Sequence, residues 1–122
     1  MLQAGDFLSF VQLRPFLANW KALGLDDDEL RGLETSIMTG PRIGAVIPGT
    51  GGVRKLRFAP SRWRTGKSGA LRVCYVYFED LSIVILITAY GKSRQENITA
   101  EDKSAMRRLI PLLHAEFSAR RK

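Results

Sequence analysis

The residues best suited to chemistry in this sequence are basic and crowd between positions 51 and 72. This stretch, GGVRKLRFAPSRWRTGKSGALR, contains seven lysines and arginines and no acidic residue. The whole chain has 19 Lys and Arg against 12 Asp and Glu, so the stretch holds all of its net charge of +7. Positive charge this concentrated favours a polyanionic partner, nucleic acid first. The seven residues are Arg54, Lys55, Arg57, Arg62, Arg64, Lys67 and Arg72.

Three of these cations are predicted to meet on one surface. The alternation in VRKLRF predicts a strand with Lys55 and Arg57 on one face and Leu56 and Phe58 on the other. Arg72 enters the next predicted strand, LRVCYVYF. If the two strands pair, Lys55, Arg57 and Arg72 converge on one open face of a sheet.

Two aromatic residues accompany the cations. Trp63 lies in the basic loop at residues 59–68, and Tyr90 ends the strand SIVILITAY. Bases of single-stranded nucleic acid stack on such rings. Core packing explains either ring equally well, so both roles stay open for Trp63 and Tyr90.

Other chemistries fit the sequence poorly. Neither GKS triplet has the earlier glycine that a phosphate-binding loop requires, because Ser61 and Leu86 stand in its place. One cysteine and one histidine form no cluster of soft metal ligands. Cys74, in the middle of a strand, is predicted to be a small core residue. We therefore expect no cofactor and no metal.

The chain is predicted to form one α+β domain over residues 1–122, ending in a short basic tail at 119–122. The protein is predicted to be cytoplasmic and to have no membrane partner. The sequence has a single cysteine and no secretory signal, and its longest apolar run is too short to span a bilayer. In chain order, the patterns predict a strand at 7–13, a helix from Pro15, a helix capped by Asp26 and Glu29, strands at 53–58, 71–78 and 82–90, and a helix from Thr99 that Pro111 kinks or restarts.

Three segments in this order resemble the RelE/HigB family of bacterial toxins from type II toxin–antitoxin systems, closest to the HigB-type branch. They are VIPGTGGVRKLRFA, GKSGALRVCYVYF and ILITAYGKSRQENIT, followed by a closing helix. The similarity covers about residues 7–110 and is strongest from Ile47 to Tyr90. It implies a compact RelE-like domain with a mostly antiparallel sheet: a strand, two helices, a three-stranded meander and a C-terminal helix.

The resemblance also implies an activity and partners. Toxins of this family enter the ribosomal A site and cleave mRNA there without a metal, through attack of a 2′-hydroxyl on the adjacent phosphate. Translation then stops until an antitoxin neutralises the toxin. The implied antitoxin is a helix-turn-helix protein, and operator DNA is bound only through it.

By position, the resemblance assigns Lys55 as the base, Arg57 to the phosphate and Arg72 to the transition state. Lys92 matches a further basic group at the scissile phosphate. The segment after Lys92 lacks an arginine and a tyrosine that RelE carries, for which Arg94 and Tyr90 are the replacements. The expected RNA-binding residues are Arg54, Arg62, Trp63, Arg64, Lys67, Tyr90 and Arg94.

Two other functions remain compatible with the sequence. The first is a ParE-like toxin that inhibits DNA gyrase without nuclease activity. The second is a relative that has lost catalysis and only binds the ribosome or its antitoxin. Lys55, Arg57 and Arg72 favour the nuclease, whereas the altered segment GKSRQENIT keeps the alternatives open.

Overall fold

The computed structural model describes residues 8–61, 70–91 and 98–120, which form a sheet with helices on both faces. The mixed α+β architecture is the one that the sequence predicts. The strands are β1 (Ser9–Gln12), β2 (Ala45–Val46), β3 (Arg54–Phe58), β4 (Leu71–Phe78) and β5 (Ile83–Tyr90), and the helices are α1 (Arg14–Ala22), α2 (Asp27–Thr39) and α3 (Ala100–Arg120).

The strands lie in the order β1-β5-β4-β3-β2. β3, β4 and β5 form the predicted antiparallel meander, and a short 3₁₀ turn at Glu79–Leu81 connects β4 to β5. β5 lies inside the sheet, as its continuous apolar sequence predicts, because β1 pairs with it in parallel on the other side. The two-residue strand β2 was not predicted and pairs with the start of β3.

Helices α1 and α2 cover one face of the sheet. Phe16 and Trp20 of α1 and Leu33 of α2 are buried in one cluster with Val73 and Tyr75 of β4. The predicted cap of α2 is present and reciprocal: the Glu29 backbone N–H donates to Asp26 Oδ1, and the Asp26 N–H donates to Glu29 Oε1, each at 2.9 Å. This cap fixes where α2 begins.

Helix α3 covers the opposite face. Met106 and Ile110 are buried against side chains of β4 and β5. Thr99 and Asp102 cap the helix as predicted, with the Asp102 N–H donating to Thr99 Oγ1 at 3.0 Å. The expected restart at Pro111 is wrong, because α3 runs from Ala100 to Arg120 as one helix; a kink at Pro111 stays a prediction. Proline removes one backbone donor there, and apolar contacts on both sides of it hold the helix on the sheet.

A tight glycine-rich turn sets the start of β3. The Thr50 side chain is fully buried, donates to the Ile47 carbonyl at 2.6 Å and accepts from the Val53 N–H at 3.0 Å. Gly49 and Gly51 have φ near +80°, a backbone region that favours glycine. The turn therefore fixes which residues of β3 face α3.

Candidate functional site

The strand register brings three cations onto one face of the sheet, as the sequence predicts, but the expectation that this face is open is wrong, because α3 packs on it. Arg57 of β3 lies directly opposite Arg72 of β4, and Lys55 lies opposite Cys74. Residues opposite each other on paired strands share a face, and Cys74 belongs to the cluster beneath α3. Lys55, Arg57 and Arg72 therefore project from the same side of two adjacent strands. We call these three residues the cationic face.

The three residues differ in their exposure. Arg57 is exposed, Lys55 is half-buried, and Arg72 is only 7% exposed. The guanidinium of Arg72 donates from Nη1 to the Ala70 carbonyl at 2.6 Å. This hydrogen bond orients the side chain without neutralising its charge.

The cationic face carries charge that no described acid pairs with. Ion pairs between described residues join other parts of the fold, and none includes Lys55, Arg57 or Arg72. Like charges directly opposite each other on paired strands destabilise a sheet by about 0.2–1 kcal/mol. An anion bound between Arg57 and Arg72 removes this repulsion. The arrangement is therefore suited to binding a phosphate.

Arg54, the first residue of β3, lies on the other face of the sheet. It is opposite Tyr75, which packs beneath α1 and α2. Its Nη1 donates to the Gly44 carbonyl at 2.8 Å and to the Arg42 carbonyl at 3.2 Å. The structure thus places Arg54 as a support for the loop before β2, apart from the cationic face.

Tyr90 lies opposite Arg72 at the end of β5. The residue is only 8% exposed, and its hydroxyl has no hydrogen-bond partner among residues 8–61, 70–91 and 98–120. Burial raises the pKa of Tyr90 to about 12. The ring packs in the cluster beneath α3, and its role as a stacking surface for a base stays a prediction.

Cys74 is the core residue that the sequence predicts. It is fully buried at the centre of β4, and burial raises the pKa of its thiol to about 12. The nearby Lys55 ammonium opposes this shift, whereas the Asp102 carboxylate adds to it. A buried thiol that stays protonated near neutral pH is a poor nucleophile, which agrees with the predicted core role of Cys74.

Six of the predicted site residues lie outside the described residues. Their positions relative to the cationic face therefore stay predictions. They are Arg62, Trp63, Arg64, Lys67, Lys92 and Arg94.

A groove that the sequence did not predict lies at the outer edge of β5, between α1 and the start of α3. Its volume is about 540 Å³, and polar side chains of Asn19, Thr88 and Asp102 contribute to its lining. Asn19 Nδ2 donates to Thr88 Oγ1 at 2.9 Å. The sequence identifies Asp102 only as a helix cap, since its position beside the end of β5 depends on how α3 packs.

The described residues contain neither a metal-binding cluster nor a membrane-spanning helix. No group of three or more His, Cys, Asp or Glu side chains within them is placed to hold a metal ion. Within the same residues, no helix combines the length and apolar character that crossing a bilayer requires.

Comparison with known proteins supports the fold. No protein-family model matches the chain. Among solved structures, the chain is similar to a double mutant of the Escherichia coli toxin RelE in its free state, with a TM-score of 0.51 and 17% sequence identity. The similarity covers 73% of this chain and 87% of the RelE chain. This similarity does not separate the HigB-type branch from the rest of the family and does not test the chemistry of the site, so both stay predictions. The sequence-based expectation is thus confirmed at the level of architecture: this chain has a RelE-like toxin fold.

Proposed function

We propose that this protein is the toxin of a type II toxin–antitoxin system and that it cleaves mRNA in the ribosomal A site. The observation that carries the proposal is the register that sets Arg57 opposite Arg72, with Lys55 on the same face. These are the residues to which the family resemblance assigns phosphate binding, transition-state stabilisation and the base. The RelE-like fold supports the same reading.

The proposed reaction is an internal transesterification of the RNA. Lys55, in its neutral form, accepts the proton of a ribose 2′-hydroxyl, and the 2′-oxygen attacks the adjacent phosphorus. The phosphorus–5′-oxygen bond breaks, and the leaving 5′-oxygen takes up one proton, which balances the proton that Lys55 accepts from the 2′-hydroxyl. The products are a 2′,3′-cyclic phosphate and a 5′-hydroxyl. No water, oxidant or metal ion enters the balance of this reaction.

Arg57 and Arg72 act on the negative charge that grows on the phosphoryl oxygens as the 2′-oxygen attacks. Arg72 is held by the Ala70 carbonyl, so its charge is oriented before the substrate arrives. A preorganised charge of this kind stabilises a transition state more than a mobile one, and its removal typically lowers the rate by about 10²–10³-fold. Arg57, which is exposed, is the residue that meets the phosphate first.

The proposal includes the partners that the resemblance implies. The ribosome presents the message to the cationic face in the cytoplasm, and a helix-turn-helix antitoxin neutralises the toxin. An anionic surface on that antitoxin would complement Lys55, Arg57 and Arg72. The complex then binds operator DNA through the antitoxin alone.

Growth inhibition by single-residue variants tests the proposal. Each variant is expressed from an inducible promoter in bacteria that lack the antitoxin, and colony formation and soluble protein are measured. Lys55→Ala and Arg72→Ala are expected to restore growth at equal protein levels. Lys21→Ala is the matched control, because Lys21 is an exposed cation on α1, away from the cationic face, and this variant should stay toxic.

The pattern of toxicity separates the proposal from its alternatives. If Lys55→Ala and Arg72→Ala both remain fully toxic, the nuclease mechanism is wrong. A supercoiling assay with purified gyrase then tests the ParE-like function. If none of the proteins, wild type included, inhibits growth, the chain is not a toxin under these conditions of expression and the proposal fails.

A further inference from the structure

Helix α3 presents different residues to its two sides. Asp102 and Leu109 line the groove beside β5. On the opposite side, the helix approaches the turn that leads into β3, where the Cα of Arg107 lies 3.7 Å from the position that a Cβ on Gly51 would occupy. Lys103 precedes Arg107 by one helical turn, so both side chains lie on the side of α3 that borders β3.

Helix α3 and strand β3 run in opposite directions. Arg107 lies beside the turn before β3. Asp102, in the first turn of α3, lines the groove together with Tyr90, which lies in one row with Arg72 and Arg57 near the end of β3. A rise of 1.5 Å per residue places Arg107 about 7.5 Å beyond this row along the helix.

Four cations border the space between β3 and α3, which we call the basic cleft. Lys55 and Arg57 lie on the strand, and Lys103 and Arg107 lie on the helix. Arg57 and Arg107 are exposed, and both lysines are half-buried. None of the ion pairs within the described part of the chain includes any of these four residues. This arrangement of like charges favours a polyanionic ligand.

The basic cleft opens at the edge of the sheet that β2 forms. Ala45 of β2 lies opposite Lys55, is exposed and carries only a methyl group. Arg57, two residues further along β3, is exposed as well. Although α3 packs on this face of the sheet, an extended anionic chain can therefore reach the cations of β3 from this edge.

We propose that the basic cleft binds phosphates of the RNA that flank the scissile phosphate, and that Lys103 and Arg107 are RNA-binding residues. The inference rests on the proposed function, which places the scissile phosphate at Arg57 and Arg72. Phosphates of a helical strand are about 3.4 Å apart along its axis, so Arg107 meets a phosphate about two nucleotides away. Contacts of this kind position the RNA and carry no sequence information, so they act on every message alike.

Binding of an RNA that cannot be cleaved tests the inference. The full chain, carrying Lys55→Ala to avoid toxicity, is titrated into a fluorescent 2′-O-methyl RNA of about 12 nucleotides, and anisotropy is measured from about 0.05 to 0.3 M KCl. Each phosphate contact that is lost should lower the slope of log K against log salt by about 0.7 and weaken binding about fivefold at 0.1 M salt. Arg107→Ala and Lys103→Ala are each expected to show this loss.

Two further variants separate charge at the cleft from other effects. Arg108→Ala is the matched control, because Arg108 is an exposed arginine next to Arg107 but lies about 100° further around the helix, facing away from β3. It should bind like the parent protein. Arg107→Lys keeps the charge and should bind within about twofold of the parent. Lys103→Ala tests the cleft even if Arg107→Ala disturbs the packing of α3 against Gly51.

Several results would overturn the inference. They are unchanged slopes for both Arg107→Ala and Lys103→Ala, an equal loss for Arg108→Ala, or no RNA binding at the lowest salt concentration. Tighter binding of an oligo-aspartate of equal charge than of the RNA would also overturn it and would assign the cleft to an acidic protein partner.

Primer extension with wild-type protein distinguishes failure of this inference from failure of the proposed function. A message that is cut on the ribosome, together with unchanged salt slopes, overturns the role of the cleft and leaves the nuclease proposal standing. An intact message, together with reduced slopes for Arg107→Ala and Lys103→Ala, overturns the nuclease proposal and leaves the basic cleft as an RNA-binding surface.

Discussion

Replacing Arg72 with methionine should make the protein more stable while it abolishes activity. Arg72 is only 7% exposed, and Arg57 lies directly opposite it on β3. Among the described residues, its side chain donates a hydrogen bond to the Ala70 carbonyl. Methionine has a similar length and fills the space with apolar atoms. A protein gives up stability in this way where a buried charge serves a ligand.

The expected change follows from three contributions. Removing a buried charge of this kind is worth about 1–4 kcal/mol in favour of the variant. Relief of repulsion with Arg57 adds about 0.2–1 kcal/mol. Loss of the charged hydrogen bond to Ala70 opposes these by about 1.5–3 kcal/mol. We expect the free energy of unfolding to rise by about 1 kcal/mol, which raises Tm by roughly 3–5 °C in a chain of this size.

Urea unfolding followed by circular dichroism measures this change. Arg31→Met is the control, because Arg31 is exposed on α2 and its ion pair with Asp28 is a surface one, so its effect should stay within about 0.5 kcal/mol. If Arg72→Met lowers the free energy of unfolding by more than about 2 kcal/mol, Arg72 is a structural residue. The charge of Arg72 would then not be kept in the fold to serve an anionic ligand.

Three further predictions concern buried and supporting residues. Burial raises the pKa of the Cys74 thiol from 9.0 to about 12, so the protonated thiol stabilises the fold fully below pH 9, and up to about 4 kcal/mol of stability is lost as the pH rises to 12. In urea titrations at pH 8 to 11, Cys74→Ala should lose less stability with rising pH than the wild type. The same pH dependence in both proteins would contradict this prediction. Tyr90→Phe removes a buried hydroxyl that has no partner in the described part of the chain. The free energy of unfolding should therefore rise by about 1 kcal/mol, with a slightly higher Tm in a thermal melt. A lower Tm would show that the hydroxyl is hydrogen-bonded in the folded protein. Arg54→Ala should lower the free energy of unfolding by about 1–2 kcal/mol through loss of its bonds to two carbonyls, yet reduce cleavage less than Arg57→Ala does; the reverse order would place Arg54 at the RNA.

The cationic face could be predicted because it depends on local pattern. Alternation in β3 sets Lys55 and Arg57 on one side, and the short connection between β4 and β5 supports the antiparallel meander that brings Arg72 alongside them. Each step needs only neighbouring residues and a two-residue period. The capping pairs of α2 and α3 were predictable for the same reason.

The groove and the role of Arg54 could not be predicted in this way. Arg54 binds carbonyls ten and twelve residues earlier, across a loop whose path no periodicity indicates. Asn19 of α1 is hydrogen-bonded to Thr88 of β5, which lies 69 residues later in the sequence. Asp102 lines the same groove only because α3 packs on the sheet. The short strand β2 is likewise set by its partner β3, since two residues have no pattern of their own.

Lys55 and the two arginines beside it are proposed to cleave mRNA on the ribosome. Primer extension on a defined message in a reconstituted translation system, with and without ribosomes, tests this proposal most directly. New message ends are expected only when ribosomes are translating, with Lys21→Ala cutting like wild type and Lys55→Ala not cutting. Intact message in the presence of wild-type protein, or cuts that persist with Lys55→Ala, would contradict the proposal.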